Sequence, residues 1–166
     1  MSDTLEEQCT EDELAARAER KAKRNTERFR EIAALIEKYP ERHNQDTWMG
    51  GFVDERELDL PESGTTTVRA CGTTQCVAGW AIVLDEENYL VARGGSVKRA
   101  DGRPFVGWTW EGSHALGLTV EEGELLFHTY RTPPMGWPRA LRAIGEGVAI
   151  GDALNNEVPN CGCETD

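Results

Sequence analysis

The sequence predicts an α+β fold: a mainly helical single domain around a buried central helix, with a small antiparallel β-sheet or hairpin beside it. Three observations carry this. No residue from Cys76 to Leu84 is charged; Val77, Trp80, Ala81 and Leu84 share one helical face, and Cys76, Gly79 and Val83 share the opposite one. A helix that is apolar all round belongs inside a core. Helical apolar spacing recurs in Phe29, Ile32, Ala33, Ile36 and Tyr39, and again in Leu141, Ile144 and Val148. Residues 89–93 and 96–99 are short strand-like runs on either side of Gly94-Gly95, a pair that tolerates the positive φ of a hairpin turn.

A chain of 166 residues suits one domain with a sizeable core. No apolar run approaches the roughly 18–20 residues of a spanning helix, and the charged N-terminus lacks a signal peptide's apolar stretch. The expectation is a soluble cytoplasmic protein with no membrane partner. Its five cysteines do not pair off and are expected to be reduced thiols. The net charge of −12 leaves no surplus of Lys and Arg to displace counterions, which argues against non-specific binding to nucleic acid and leaves room only for a local basic groove.

Taken in order, residues 1–10 read as a disordered tail. Thr10 and Glu13 have capping-box spacing, so a helix starts at Glu11 and runs to about Tyr39, where Pro40 stops it. Its first half, residues 11–28, offers only Leu14 and alanines among alternating charges, so it is expected to project from the globular part (residues 11–154) and could close a homodimer. Residues 41–48 form a polar turn closed by Trp48. Residues 50–64 are a charged, Gly- and Pro-containing loop, and residues 65–70 a β-branched strand leading into Cys71, where the central helix is expected to begin.

Residues 100–103 make another turn, and residues 105–110 could add a third strand. A short helix over residues 112–116 ends near Gly117, and Thr119 with Glu122 caps the next one. This pair has the outline of a helix-turn-helix. Its second helix carries Glu121, Glu122 and Glu124 and no base, which argues against DNA reading. Trp137-Pro138 starts a last helix whose buried face is marked by Leu141, Ile144, Val148 and Gly151. Residues 155–166 form a flexible tail with Cys161-Gly162-Cys163.

Three motif blocks occur in order: His43-x-Gln45-x-x-Trp48; Cys71-Gly72-Thr73-x-x-Cys76-x-Ala78-Gly79-Trp80-Ala81; and Leu116-Gly117-Leu118-Thr119-x-x-Glu122-x-x-Leu125-x-Phe127. Together they resemble a group of small uncharacterised proteins encoded by bacteriophages of actinobacteria and by actinobacterial genomes. The resemblance implies a phage or actinobacterial origin and supplies no activity. The N-terminal half-helix, the loop between Trp48 and Cys71, and the Cys-x-Cys tail depart from the pattern.

Two classes of function compete. In the first, a non-catalytic accessory protein binds a host or phage protein, with Asn44, Trp48, Thr73, Trp108 and Trp110 as candidate contacts and Trp137 beside them if exposed. No cofactor is required. In the second, Cys71 at a helix N-terminus is a nucleophile of a hydrolase or transferase, since the helix dipole and open amides favour thiolate and can hold an oxyanion. His43 would be the base with Gln45 orienting it, and His114 or His128 are rival bases. A four-cysteine zinc site from Cys71, Cys76, Cys161 and Cys163 has poor spacing and is the remote option. The bland alternative for Cys71 is a small residue at a tight helix entry.

Overall fold

The computed structural model describes residues 10–45, 76–91, 97–129, 133 and 136–155. Seven α-helices, a single 3-10 turn at Pro40–Arg42 and one two-stranded antiparallel sheet account for their regular structure. The predicted α+β class is the observed one.

Helix α1 (Glu11–Lys23) starts where expected, with Thr10 Oγ1 accepting from the Glu13 amide at 3.2 Å. It does not continue to Tyr39. Arg24 is extended (φ −84°, ψ 147°), and Asn25 caps a separate helix α2 (Thr26–Lys38) by accepting from the Arg28 amide at 3.1 Å. The break has a physical cause at Arg24, whose guanidinium sinks inward. Its Nη1 donates to the carbonyls of Ile144 at 2.7 Å and Val148 at 2.6 Å, and its Nη2 donates to Glu122. The Asn25 amide meets the Leu116 carbonyl at 2.9 Å.

Nor does α1 project. Arg17 is 6% exposed, its Nε donates to the Glu146 carbonyl at 3.2 Å, and Arg20 Nε donates to the Gly147 carbonyl at 2.6 Å. Gly147 has φ +92°, and a Cβ there would lie 2.3 Å from the Arg17 carbonyl oxygen. A side chain therefore meets both backbone strain and backbone atoms. Gly147→Ala is expected to cost about 1–3 kcal/mol in urea unfolding, with α1 the first element to lose amide-exchange protection.

Helix α2 buries Phe29, Ile32, Ala33 and Ile36, the predicted stripe, against α6 (Trp137–Gly145). Close approach is made possible by Gly145, where a Cβ would meet the Phe29 Cβ at 2.9 Å. Arg142 and Glu37 close the outer edge with paired bonds of 2.6 and 2.8 Å. The expected last helix is interrupted at Glu146-Gly147 and resumes as α7 (Ile150–Asn155).

The central helix α3 (Val77–Leu84) is buried at all eight positions. It begins six residues later than Cys71: Cys76 is its N-cap, extended at φ −78°, ψ 178°. The helix starts with the uncharged run and not with the polar residues before it. Leaving α3, β1 (Tyr89–Val91) pairs with β2 (Val97–Arg99) in the register Tyr89↔Arg99, Leu90↔Lys98, Val91↔Val97.

The third strand suggested for residues 105–110 is not formed. Gly107 instead caps α4 (Trp108–Leu116), which ends at left-handed Gly117 (φ +68°). Helix α5 (Val120–Phe127) follows with both arms of the Thr119–Glu122 capping box in place. Small residues let α4 lie close to α3 and α5, since a Cβ on Gly112 would meet Ala78 Cβ at 2.9 Å and one on Gly123 would meet Ser113 Oγ at 1.8 Å.

Candidate functional site

Pro104 to Thr119 holds one formally charged residue, Glu111. In the fold it is fully buried in the first turn of α4. A carboxylate removed from water must be paired and hydrogen-bonded, and Glu111 is. Its Oε1 accepts from the Val106 amide at 3.1 Å, its Oε2 from Arg99 Nη1 at 3.2 Å, and Oε2 also from the Tyr89 hydroxyl. Burial first, and then the bond to Glu111, raise the Tyr89 pKa, so its hydroxyl remains a donor. Asp101 grips the far side of Arg99 with bonds of 3.1 and 2.9 Å, and Arg99 holds its carboxyl down at about 2. One buried carboxylate thus ties together β1, β2 and the segment entering α4.

On the surface above this hub stands Trp110. It is 38% exposed and braced: the Arg99 guanidinium lies 5.7 Å from the ring centre, and the His114 imidazole is stacked at 5.5 Å and 12°. Val106, whose amide is pinned by Glu111, is 67% exposed. Trp108 is half-buried, edge-on to Phe105 at 5.3 Å, and Phe105 is edge-on to Tyr89 at 6.4 Å. An aromatic ladder therefore runs from half-buried Trp108 through Phe105 to Tyr89 in the core. The arrangement has the properties of a binding anchor, a large rigid ring with its entropy cost already met.

The remaining predicted site residues are scattered. Gln45 is buried and spent on structure: its Nε2 donates to the carbonyls of Leu126 and Phe127, both at 3.0 Å, and its Oε1 accepts from the Val77 amide at 3.4 Å. It clasps the end of α5 to the start of α3, which leaves its amide engaged and not turned to a base. His43 is half-buried with its ring 5.2 Å from Trp137, and Asn44 is exposed. His114 stacks on Trp110, while His128 Nε2 lies 3.5 Å from Thr109 Oγ1. Trp137 is only 6% exposed and belongs to the core, so it is not part of a surface with Trp110.

Cys71, Trp48, Thr73, Cys161 and Cys163 lie outside the described residues. The helix-start environment that would activate Cys71 belongs to Cys76. That thiol is fully buried, and burial raises its pKa to about 11, so it is a neutral packing group at ordinary pH. Among the described residues no group of three His, Cys, Asp or Glu side chains could hold a metal ion.

A groove of about 390 Å³ runs between α1 and the α4–α5 turn, lined by Glu19, Arg20, Lys23, Arg24, Leu118 and Glu122 among others. Its charges answer one another: Lys23 with Glu19 at 2.7 Å, Arg20 with Glu13 at 2.6 Å, and Arg24 with Glu122. This is the electrostatics of a packed seam. No described helix is long and apolar enough to cross a membrane.

Sequence reasoning missed Glu111, Arg99 and Val106. One signal could have found Glu111, namely a lone carboxylate in a long uncharged run. Nothing in the sequence pairs it with Tyr89 or Arg99. No protein-family model, curated protein or solved structure matches the chain.

Proposed function

We propose that this chain is a small accessory protein of the phage type that binds a host or phage protein without doing chemistry, and that it binds through the surface centred on Val106 and Trp110. The motif blocks supply the phage context. The observation that carries the binding role is the bracing of an exposed tryptophan by a buried carboxylate through Arg99. An exposed aromatic costs solubility, and one with an ordered underside is best used as an anchor. The compartment this implies is the cytoplasm of the host.

The test is affinity capture from an actinobacterial lysate at physiological salt. Trp110→Ala is expected to fold, since the ring is partly exposed, and to lose the captured partner by at least about 30-fold in affinity, the effect of a central aromatic anchor. A partner held equally by wild type and Trp110→Ala would contradict the assignment, as would a folded wild type that retains nothing.

A further inference from the structure

Resting on the binding role above, we infer that the Val106–Trp110 surface takes an acidic protein segment carrying an apolar anchor. The chain as a whole is strongly acidic, at −12, yet residues 97–111 contain three basic side chains against two acidic ones. The structure arranges these charges unevenly. Arg99 is neutralised from beneath by Glu111 and from the side by Asp101, and its work is to hold Trp110. Arg103 is different: its side chain is 79% exposed, and its contact with Asp101 is a long one at 3.9 Å. Asp101 already serves Arg99 at 2.9 Å and accepts from the Arg103 amide at 3.0 Å. Arg103 is therefore available to a second carboxylate.

The other group against Trp110 is His114, whose imidazole N–H is a donor. Arg99 thus lies over the ring and His114 is stacked on it, with exposed Val106 supplying apolar surface four residues before Trp110 in the chain. A segment that places an apolar side chain against the exposed part of Trp110 and Val106, and a carboxylate on Arg103, matches this surface in sign. Surface potentials of opposite sign steer such a segment to this face and away from the acidic remainder.

Nucleic acid fits less well. It would need several free cations along a track, and here Arg99 is already paired while the net charge opposes a long polyanion. With screening over roughly 8 Å at physiological salt, a small basic patch serves a short acidic segment better than an extended one.

The ¹⁵N-labelled full chain is titrated with two pools of synthetic nonapeptides, each having a central Leu, Ile, Phe or Trp flanked by Asp/Glu in one pool and Lys/Arg in the other, and with oligo-dT. The readout is the Trp110 indole N–H. The acidic pool is expected to shift this signal and the basic pool to leave it in place. Arg103→Glu, a substitution at an exposed position, should keep the fold and weaken the apparent affinity about fivefold. No shift with the acidic pool, an equal shift with the basic pool, or a shift with oligo-dT alone would overturn the inference. If Trp110-dependent capture from lysate persists in that case, the binding role stands and only the partner chemistry is wrong; if capture fails as well, both fall.

Discussion

Glu111→Ala is expected to lower the free energy of unfolding by about 3–5 kcal/mol, the usual consequence of removing one member of a buried charged pair. The loss has several parts. The Arg99 guanidinium, 15% exposed at its side chain, is left beside a cavity with only Asp101, and the Tyr89 hydroxyl and Val106 amide lose their acceptor. Each stranded donor costs on the order of 1–3 kcal/mol when it stays buried, so local rearrangement is expected to accompany the loss. Urea unfolding followed by circular dichroism gives the magnitude. Glu111→Gln keeps the shape and one carbonyl acceptor, enough for either the Val106 amide or the Tyr89 hydroxyl but not both, and should lose less. Equal losses from the two substitutions would show that the charge dominates, and not the hydrogen-bonded shape.

Arg24→Ala is the second large effect, again about 3–5 kcal/mol. Arg24 is 6% exposed and joins three places distant in sequence: the α1–α2 break, the carbonyls at the end of α6, and Glu122 in α5. Its pH dependence has a defined sign. Burial pushes Glu122 up, but the Arg24 hydrogen bond, the Thr119 amide and the Arg24 charge together hold it below its ordinary value. A carboxyl depressed in the folded state binds fewer protons there than in the unfolded chain. Its contribution is therefore fully present above the ordinary carboxyl range near pH 4.5 and is lost as pH falls through the depressed value. The gap in stability between wild type and Arg24→Ala should be widest near neutrality and narrow below about pH 4.5. A gap independent of pH between 3 and 7 would remove Glu122 from the account.

The pattern of residues made some elements legible and not others. Helix α3 was evident because burial on every side removes every charge, and the Phe29–Ile36 stripe and the Thr119–Glu122 cap each have a local periodic signature. The division between α1 and α2 was hidden because Arg24 looks like another solvated base. Only tertiary carbonyls and Glu122 draw it inward. Helix α1 likewise attaches through the bonds of Arg17 and Arg20, where an apolar stripe was sought.

The candidate site was half legible. Trp110 stood out as an aromatic, but its value depends on Arg99 from β2 and Glu111 from its own helix, a pairing set by the hairpin register. Helix entry at Cys71 was inferred from small polar residues that suit a start. The helix waits instead for the apolar run after Cys76, because burial outweighs capping preference there. The Gln45 amide reads as a site group in the sequence, and the fold uses that amide as a clasp between α3 and α5.

On the proposed function, Trp110 is an anchor held ready by the buried Glu111 hub. The ¹⁵N order parameter of its indole N–H, measured on the free protein, tests this most directly. A value near the ~0.85 of rigid backbone, falling in Glu111→Ala, is predicted; a value below about 0.6 in the wild type would show an ordinary mobile surface side chain and contradict the account.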